Sequence, residues 1–491
     1  MRRRWWWLLI ALSLVAAACG GNDDDGSADA ADPVIAEEQT AAPAEETEEA
    51  AVDEPADQPA DQPASEPADQ PADEPTHEPA EEPAEPTPAP TPMVLTASYQ
   101  GVTETEIAIG VAVIDLEQLA SFGLEISPFP FEDYYQALAD DLNERGGING
   151  RNVVVHVSFF LPFGEAESER VCTELMEDKE VFVVTGQLIE DAPLCITELH
   201  GHPYVGHFGE NTERQARSNG LFFATEMNQN HIRVAAVNEM IRAGDLEGFT
   251  VGIFHGPSYE EEYALAVEPL LADAGISVAG IYTTGPILND AVADQQATDN
   301  VVERMRADGV DLILNVATGV FAVIATVERL GWDVPIALTS GQAADVFGLA
   351  EDLALSDETL ARTFAVTVHR PTTEELRADP GVQQCIAAYQ ERHADEPLDL
   401  ADVEAVGHAA GHCSAFAFTV KLLEAAGGNI TPETFVAAAE GLGTIDLPGL
   451  PGATLSPDKH SAGSQINRYE YSPEAKTWLR VGDPIQFVPG E

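Results

Sequence analysis

From Thr105 to about Val316, short runs of branched apolar residues alternate with stretches of helical spacing, and no other feature restricts the folding of this chain as strongly. Ile107, Ile109, Val111 and Val113, with small residues between them, predict a strand buried on both faces. Phe131 to Arg145 follows with Tyr134, Leu138 and Leu142 on one helical face, and Gly146-Gly147 ends it. Val153-Val154-Val155 predicts the next strand, and the pattern repeats through 181–185, 204–207, 251–254, 278–282 and 312–316. Strand, helix and strand joined by short loops predict doubly wound parallel sheets.

Ahead of this body lie two segments of different character. Arg2-Arg3-Arg4 is a cationic start, Trp5 to Val15 a short apolar core, and Ala16-Ala17-Ala18-Cys19-Gly20-Gly21 a small-residue site ending on cysteine. The core is too short to span a bilayer comfortably, so residues 1–18 read as a removed signal. The site resembles a bacterial lipobox with Ala16 where Leu is more usual, and processing would leave Cys19 lipid-modified. Ordinary secretion and a short uncleaved anchor are the competing readings.

Residues 19–97 then carry no Lys or Arg and repeat units such as Asp61-Gln62-Pro63-Ala64 and Glu81-Glu82-Pro83-Ala84. Such a segment buries too little apolar surface to offset chain entropy and is expected to be an extended acidic tether. Its reach at about 3.1 Å per residue is on the order of 200 Å.

The formal charge of −62 is only partly the tether's, because 23 of the 85 acidic residues fall between Gly20 and Pro92. A body this acidic argues against nucleic acid or anionic head groups as partners. Apart from Cys19, the cysteines are Cys172, Cys195, Cys385 and Cys413. Four cysteines allow three connectivities, and the sequence alone does not choose among them. The expectation is two local disulfides, Cys172 with Cys195 and Cys385 with Cys413, against a competing reading of buried free thiols.

The run Asn143-Glu144-Arg145-Gly146-Gly147-Ile148-Asn149-Gly150-Arg151 explains itself physically. Glycine after Arg145 closes a helix in the left-handed region, Ile148 packs back on the last turn, and Asn149-Gly150 suits a tight turn. A strand, a helix and this motif before a second strand resemble the opening of type I periplasmic binding proteins, in the branch that includes branched-chain amino acid and amide- or urea-binding proteins. The segment around Val251 to Tyr263 and the closing Leu455-Ser456-Pro457-Asp458, Tyr469 and Trp478 extend the resemblance. It implies an α/β fold of two doubly wound parallel-sheet lobes joined by a three-crossover hinge. Lobe 1 is placed at 98–226 and 369–456, lobe 2 at 227–368 and 457–491.

The resemblance further implies a ligand-capturing component of an ABC importer, lipid-anchored outside the cytoplasm, with a permease as partner and no cofactor. A ligand-sensing or surface-interaction lipoprotein on the same fold is the alternative. Ligand contacts are placed on loops at the carboxyl ends of strands. They are Phe122 in the first loop, Gln187 and Asp191 in the second, Glu210 and Asn211 in the third, and Tyr259 in the fourth, with Thr318 and Gln342 from lobe 2. Asn211 is weighed equally as a helix cap. With Glu190, Asp191 and Glu210 where a ligand carboxylate would lie, and no acidic partner for an α-amino group near Gln342, a cationic, amide or hydroxylated ligand fits as well as an amino acid.

His408 and His412, four apart, would share a helical face as paired metal ligands do, and His200, His202 and His207 cluster around a strand. No zinc-protease order, nucleophile elbow or phosphate loop accompanies them, so neither a metal site nor an enzyme is expected.

Overall fold

A computed structural model describes residues 94–121, 127–162, 165–257, 260–285, 291–319, 321–340 and 355–487. The signal, the tether and Cys19 lie outside them. Among the described residues twelve strands form two sheets. The first contains β1 (Glu106–Ile114), β2 (Asn152–Phe160), β3 (Val183–Gly186), β4 (Tyr204–Gly206) and β5 (Phe222–Ala224), ordered β2-β1-β3-β4-β5. Every pairing in it is parallel. The second contains β6 (Thr250–His255), β7 (Ser277–Thr283), β8 (Leu312–Asn315), β9 (Ile336–Leu338), β10 (Thr363–Val368), β11 (Gln465–Ser472) and β12 (Thr477–Gln486), ordered β12-β11-β10-β9-β8-β6-β7. The helices that matter below are α1 (Phe131–Glu144), α2 (Thr212–Arg217), α3 (Gln229–Ala243), α4 (Glu261–Asp273), α5 (Pro380–Arg392) and α6 (Val403–Ala426).

Each sheet is covered on both faces, which is why its central strands are apolar at nearly every position. Tyr134, Leu138, Ile386, Phe418 and Leu422, from α1, α5 and α6, pack on Ile109, Val111 and Val183. Val171, Cys172, Leu175 and Ile196 cover Val184 and Tyr204 on the opposite face. In the second sheet Ile232, Val237 and Val267, from α3 and α4, pack on Ile253 and Leu314. Met305, Val323 and Trp332 cover Ile313 and Ile336.

The expected parallel sheets are present, with one addition. β11 pairs antiparallel with β10 and with β12, forming a hairpin at the second sheet's edge. Its sequences, Gln465–Ser472 and Thr477–Gln486, mix polar with apolar side chains, and most of β12 is exposed, as suits the edge of a sheet.

The glycine motif adopts the conformation its sequence dictates. Gly147 donates its N–H to Leu142 at 2.9 Å with φ +64°, and Asn149 and Gly150 have φ +53° and +91°. A Cβ on Gly147 would fall on the Arg151 carbonyl, so only glycine fits there. Arg151 does more than open a strand. Its fully buried guanidinium donates to the carbonyls of Thr103 at 2.6 Å, Thr96 at 2.9 Å and Gly428 at 2.8 Å.

Both local disulfides form, Cys172–Cys195 on one face of the first sheet and Cys385–Cys413 between α5 and α6 on the other. Three segments carry the chain between the sheets, near Thr225–Met227, His369–Pro371 and Gly463–Gln465. They bond directly: Gly463 N–H to the Thr225 carbonyl at 2.8 Å and His369 N–H to the Gln465 carbonyl at 2.8 Å. Lys459, almost wholly buried beside the third segment, donates to Thr454 O and Ser464 Oγ at 2.8 Å and to Ser461 O. Burial pushes its ammonium down to about 7.

Candidate functional site

The carboxyl ends of β3 and β4 carry loops two and three, and the structure gathers their acids around one arginine that the sequence reading did not single out. Arg214, in the first turn of α2, donates Nη1 to Glu210 at 3.1 Å and Nε to Asp191 at 2.7 Å. Arg217 adds a 3.3 Å contact to Asp191. Asn211 caps α2: its Oδ1 accepts the Arg214 N–H at 2.9 Å, so the capping reading holds for that atom.

Burial raises the Asp191 carboxyl, but the bonds and charges of Arg214 and Arg217 outweigh it and hold the group below its ordinary range. Glu210 is different. It is 7% exposed, and burial pushes its carboxyl up to about 7 against the pull of Arg214. Glu190 shifts the same way, again from burial. Arg214 for its part rises above the ordinary arginine value, as a guanidinium beside ionised carboxylates does. Burial decides the direction for Glu210, because one arginine shared between two acids compensates neither completely.

Gln187 is placed but spent: its Oε1 accepts the Ile114 N–H at 3.2 Å, tying the β1 loop to the β3 loop. Gly186 enables this with φ +137°, since a Cβ there would strike the Ala112 carbonyl.

Across the cleft, Thr318 joins a second cluster. Glu260, 2% exposed, accepts the Gly256 N–H at 2.8 Å and the Thr318 N–H at 3.0 Å, stitching the β6 and β8 loops together. Arg233, fully buried on α3, donates to the Val316 carbonyl at 3.1 Å and to Thr318 Oγ1 at 3.4 Å, and bonds the side chain of Gln229. Its guanidinium lies 4.3 Å from the centroid of the Tyr263 ring. Burial raises the Tyr263 phenol, within electrostatic reach of Arg233, Glu260, Glu210 and Glu262.

The two clusters meet. Asn230 Oδ1 accepts the Thr212 N–H at 3.0 Å, and the Gln229 N–H reaches the Glu210 carbonyl at 3.1 Å. The structure thus brings Asp191, Glu210, Asn211 and, through Arg233 and Glu260, Thr318 to one inter-sheet site. Phe122, Tyr259 and Gln342 lie outside the described residues. Arg214, Arg233, Glu260, Glu262 and Tyr263 went unread. Glu210 and Arg214 four apart was a legible signal, whereas nothing in the sequence marks Arg233 as buried.

The histidines pack as rings. His207 and His412 have centroids 4.4 Å apart, and His412 lies 4.6 Å from Phe131 and hydrogen-bonds the Tyr135 hydroxyl at 2.8 Å. Burial pushes His207 down to about 3 and lowers His408 and His412. His202 bonds the Phe182 carbonyl instead, at 2.8 Å. Among the described residues one group has metal-ligand proximity, Cys172, Cys195 and His200, and a disulfide consumes both its sulfurs. Among the described residues, no helix is long and apolar enough to cross a membrane.

The sequence model of the family described as "Periplasmic binding protein" matches residues 130–472. No curated protein is matched. Among solved structures, the chain is similar to an ABC transporter substrate-binding protein from Desulfitobacterium hafniense in complex with Leu, at 15% identity and TM-score 0.52, over 77% of this chain and all of that one. It is similar to an ABC transporter solute-binding protein from Rhodopseudomonas palustris in complex with p-hydroxybenzoic acid, at 15% identity and TM-score 0.55, over 78% and 98%. A fatty acid ABC transporter substrate-binding protein from Thermomonospora curvata matches at 16% identity and TM-score 0.52, over 80% and 95%. At these identities the likeness is one of fold.

Proposed function

Because the chain belongs to the periplasmic binding protein family, with the two-lobed type I fold, we propose that it captures a small solute outside the cytoplasm and delivers it to an ABC importer, held at the membrane by a lipid on Cys19. The family is one of solute-binding proteins rather than enzymes, and nothing in the inter-sheet site departs from a binding role. The grip is assigned to Asp191, Glu210 and Asn211 from one lobe and to Thr318 from the other, with Phe122, Tyr259 and Gln342 completing it. The proposed lobes are 98–226 with 369–456 and 227–368 with 457–491, the third crossing between the sheets falling a few residues beyond 457, near Gly463–Gln465.

One observation carries the ligand class: Glu210 is buried at the lobe interface with its carboxyl raised, and the acids around it outnumber the arginines. Of the similar solved proteins, two hold Leu or p-hydroxybenzoic acid and one is a fatty acid transporter component, and each of these ligands presents a carboxylate. A ligand carboxylate among Glu190, Asp191 and Glu210 would be desolvated against like charge, which costs several kcal/mol without a further cation. The ligand is therefore a cation or a donor-rich amide.

Calorimetry with putrescine, agmatine, acetamide and leucine tests this. A cation or amide is expected to bind best, and Glu210→Gln to weaken it at least about tenfold, the loss of one charge-assisted bond. Leucine binding more tightly than the other three would overturn the ligand class. For the anchor, Cys19→Ala is expected to release the protein from membranes, and unchanged membrane association with unchanged amino-terminal mass would refute it.

A further inference from the structure

We propose that the hinge carries a second small-molecule site, for a neutral molecule with an apolar body and one hydroxyl or amide group. A cavity of about 380 Å³ lies where the three crossovers converge, and all three line it, through Glu226, Arg370 and Gln465 among others. That size falls within the range of small-molecule pockets. Gln187, Asp191, Glu210, Asn211 and Thr318 are not among its lining residues, so it stands apart from the Glu210–Arg214 cluster.

Three features argue that the cavity is built to be filled. Ser414 Oγ, His207 Nε2 and Gln465 Oε1 all belong to lining residues, are out of solvent, and have no hydrogen-bond partner among the described residues. Ser414 is only 6% exposed. Buried polar groups are almost always paired, so three unpaired ones on the residues of a single cavity are hydrogen-bonding groups that a rotamer change would turn toward a ligand's own donor and acceptor.

The floor of the cavity is one face of α6, which presents Gly407, Gly411 and Ser414 at successive turns. Glycine inside a helix is unfavourable relative to alanine. Yet a Cβ on Gly407 would meet nothing within 4 Å among the described residues, and one on Gly411 would come no closer than 3.9 Å, to His207 Nδ1. Packing within the protein does not demand these glycines. They keep the floor open.

Charge selects the ligand. Glu226 and Arg370 pair with each other at 3.1 Å, and burial lowers both His207 and His369 toward the neutral imidazole. The lining then offers hydrogen bonds without net charge, beside apolar Phe208, Met227 and Leu450. A neutral occupant fits, and a charged one would be desolvated without a counter-ion.

The test uses the full chain and benzamide as the probe, followed by ligand-observed NMR and calorimetry. Benzamide is expected to bind with a Kd of about 1 mM or tighter, in keeping with its size. Gly411→Leu, which fills the cavity, is expected to weaken it at least tenfold, and Ser414→Ala about three- to tenfold, with thermal melting confirming that each variant is folded. Benzoate and benzylamine are expected to bind at least tenfold more weakly than benzamide. Absence of benzamide binding to the unaltered chain overturns the proposal. So does unchanged affinity in both Ser414→Ala and folded Gly411→Leu, or a loss of affinity in Glu210→Gln, which would place benzamide in the cleft and not at the hinge.

Discussion

Acidification sets two buried groups of this protein against each other, and the contest can be read by mutation. An unfolded chain protonates His207 near pH 6.5, whereas the folded chain, with the ring packed on His412, resists down to about 3. Between those values the unfolded state binds a proton that the native state refuses, so stability falls as pH falls. Each pH unit withdraws about 1.4 kcal/mol, which makes about 2 kcal/mol by pH 5 from this one ring.

Burial also pushes His231 down, to about 4, and adds a loss of similar size over the same window, while His408 and His412 act in the same sense. Glu210 opposes them. Its native carboxyl, raised to about 7, holds a proton that the unfolded chain releases until pH nears 4.5. The fold therefore gains about 3 kcal/mol between pH 7 and 5 from this group. Burial raises Glu190 and Glu262 in the same sense as Glu210, but the histidines lowered by burial outnumber these acids, and net destabilisation by acid is expected. Urea unfolding midpoints from pH 7.5 to 5 at fixed ionic strength give the assay. His207→Gln should flatten the curve by about 2 kcal/mol over the window and Glu210→Gln should steepen it by about 3. Curves for both variants that run parallel to the unaltered protein within about 0.5 kcal/mol would refute the reasoning.

Three further outcomes follow from the geometry. Arg151→Met strips the donors from three part-buried carbonyls and empties the buried site of the guanidinium, and is expected to cost about 3 kcal/mol, seen as a lowered urea midpoint. Gly147→Ala, forced into the left-handed region against the Arg151 carbonyl, should cost about 2 kcal/mol or more. Gly146→Ala, with open space around it, should cost less, and the reverse order in thermal melts would contradict the motif's reading. If putrescine proves a ligand, its affinity should fall as pH drops below about 7 in the unaltered protein, because protons compete for Glu210, and calorimetry on Glu210→Gln should show that dependence removed.

The elements legible in the sequence were those with strong local signals. β1 is apolar at nearly every position, β2 opens on a run of three valines, α1 has clean four-residue spacing and a glycine stop, and the cysteines fall into near pairs. β5, β9 and β10 went unread, and so did the β11–β12 hairpin, whose many polar residues mark a sheet edge only once the sheet is known. The acids of loops two and three were legible, but their relation was not. Asp191 and Arg214 stand 23 residues apart and meet only because β3 and β4 are neighbours in the sheet. Arg233 carries no sequence signal, since burial of its guanidinium depends on the carbonyl of Val316, 83 residues further on.

The placement of the disulfides bears on how the chain is made. Both staple the layers of the first sheet, one on each face, and the described part of the second sheet has none. A chain leaving the cell amino-terminus first exposes Cys172 and Cys195 early, so that bond can close while most of the polypeptide is still inside. Cys413 emerges only after β6 to β10 have passed, which means the second sheet's parallel core reaches the oxidising side before the first lobe can be completed. Export of this protein would therefore run in three acts, with half a lobe waiting on its own carboxyl-terminal helices. A disulfide-free preparation, made in a reducing cytoplasm, should accumulate molecules ordered in the second lobe and open to protease around α5 and α6.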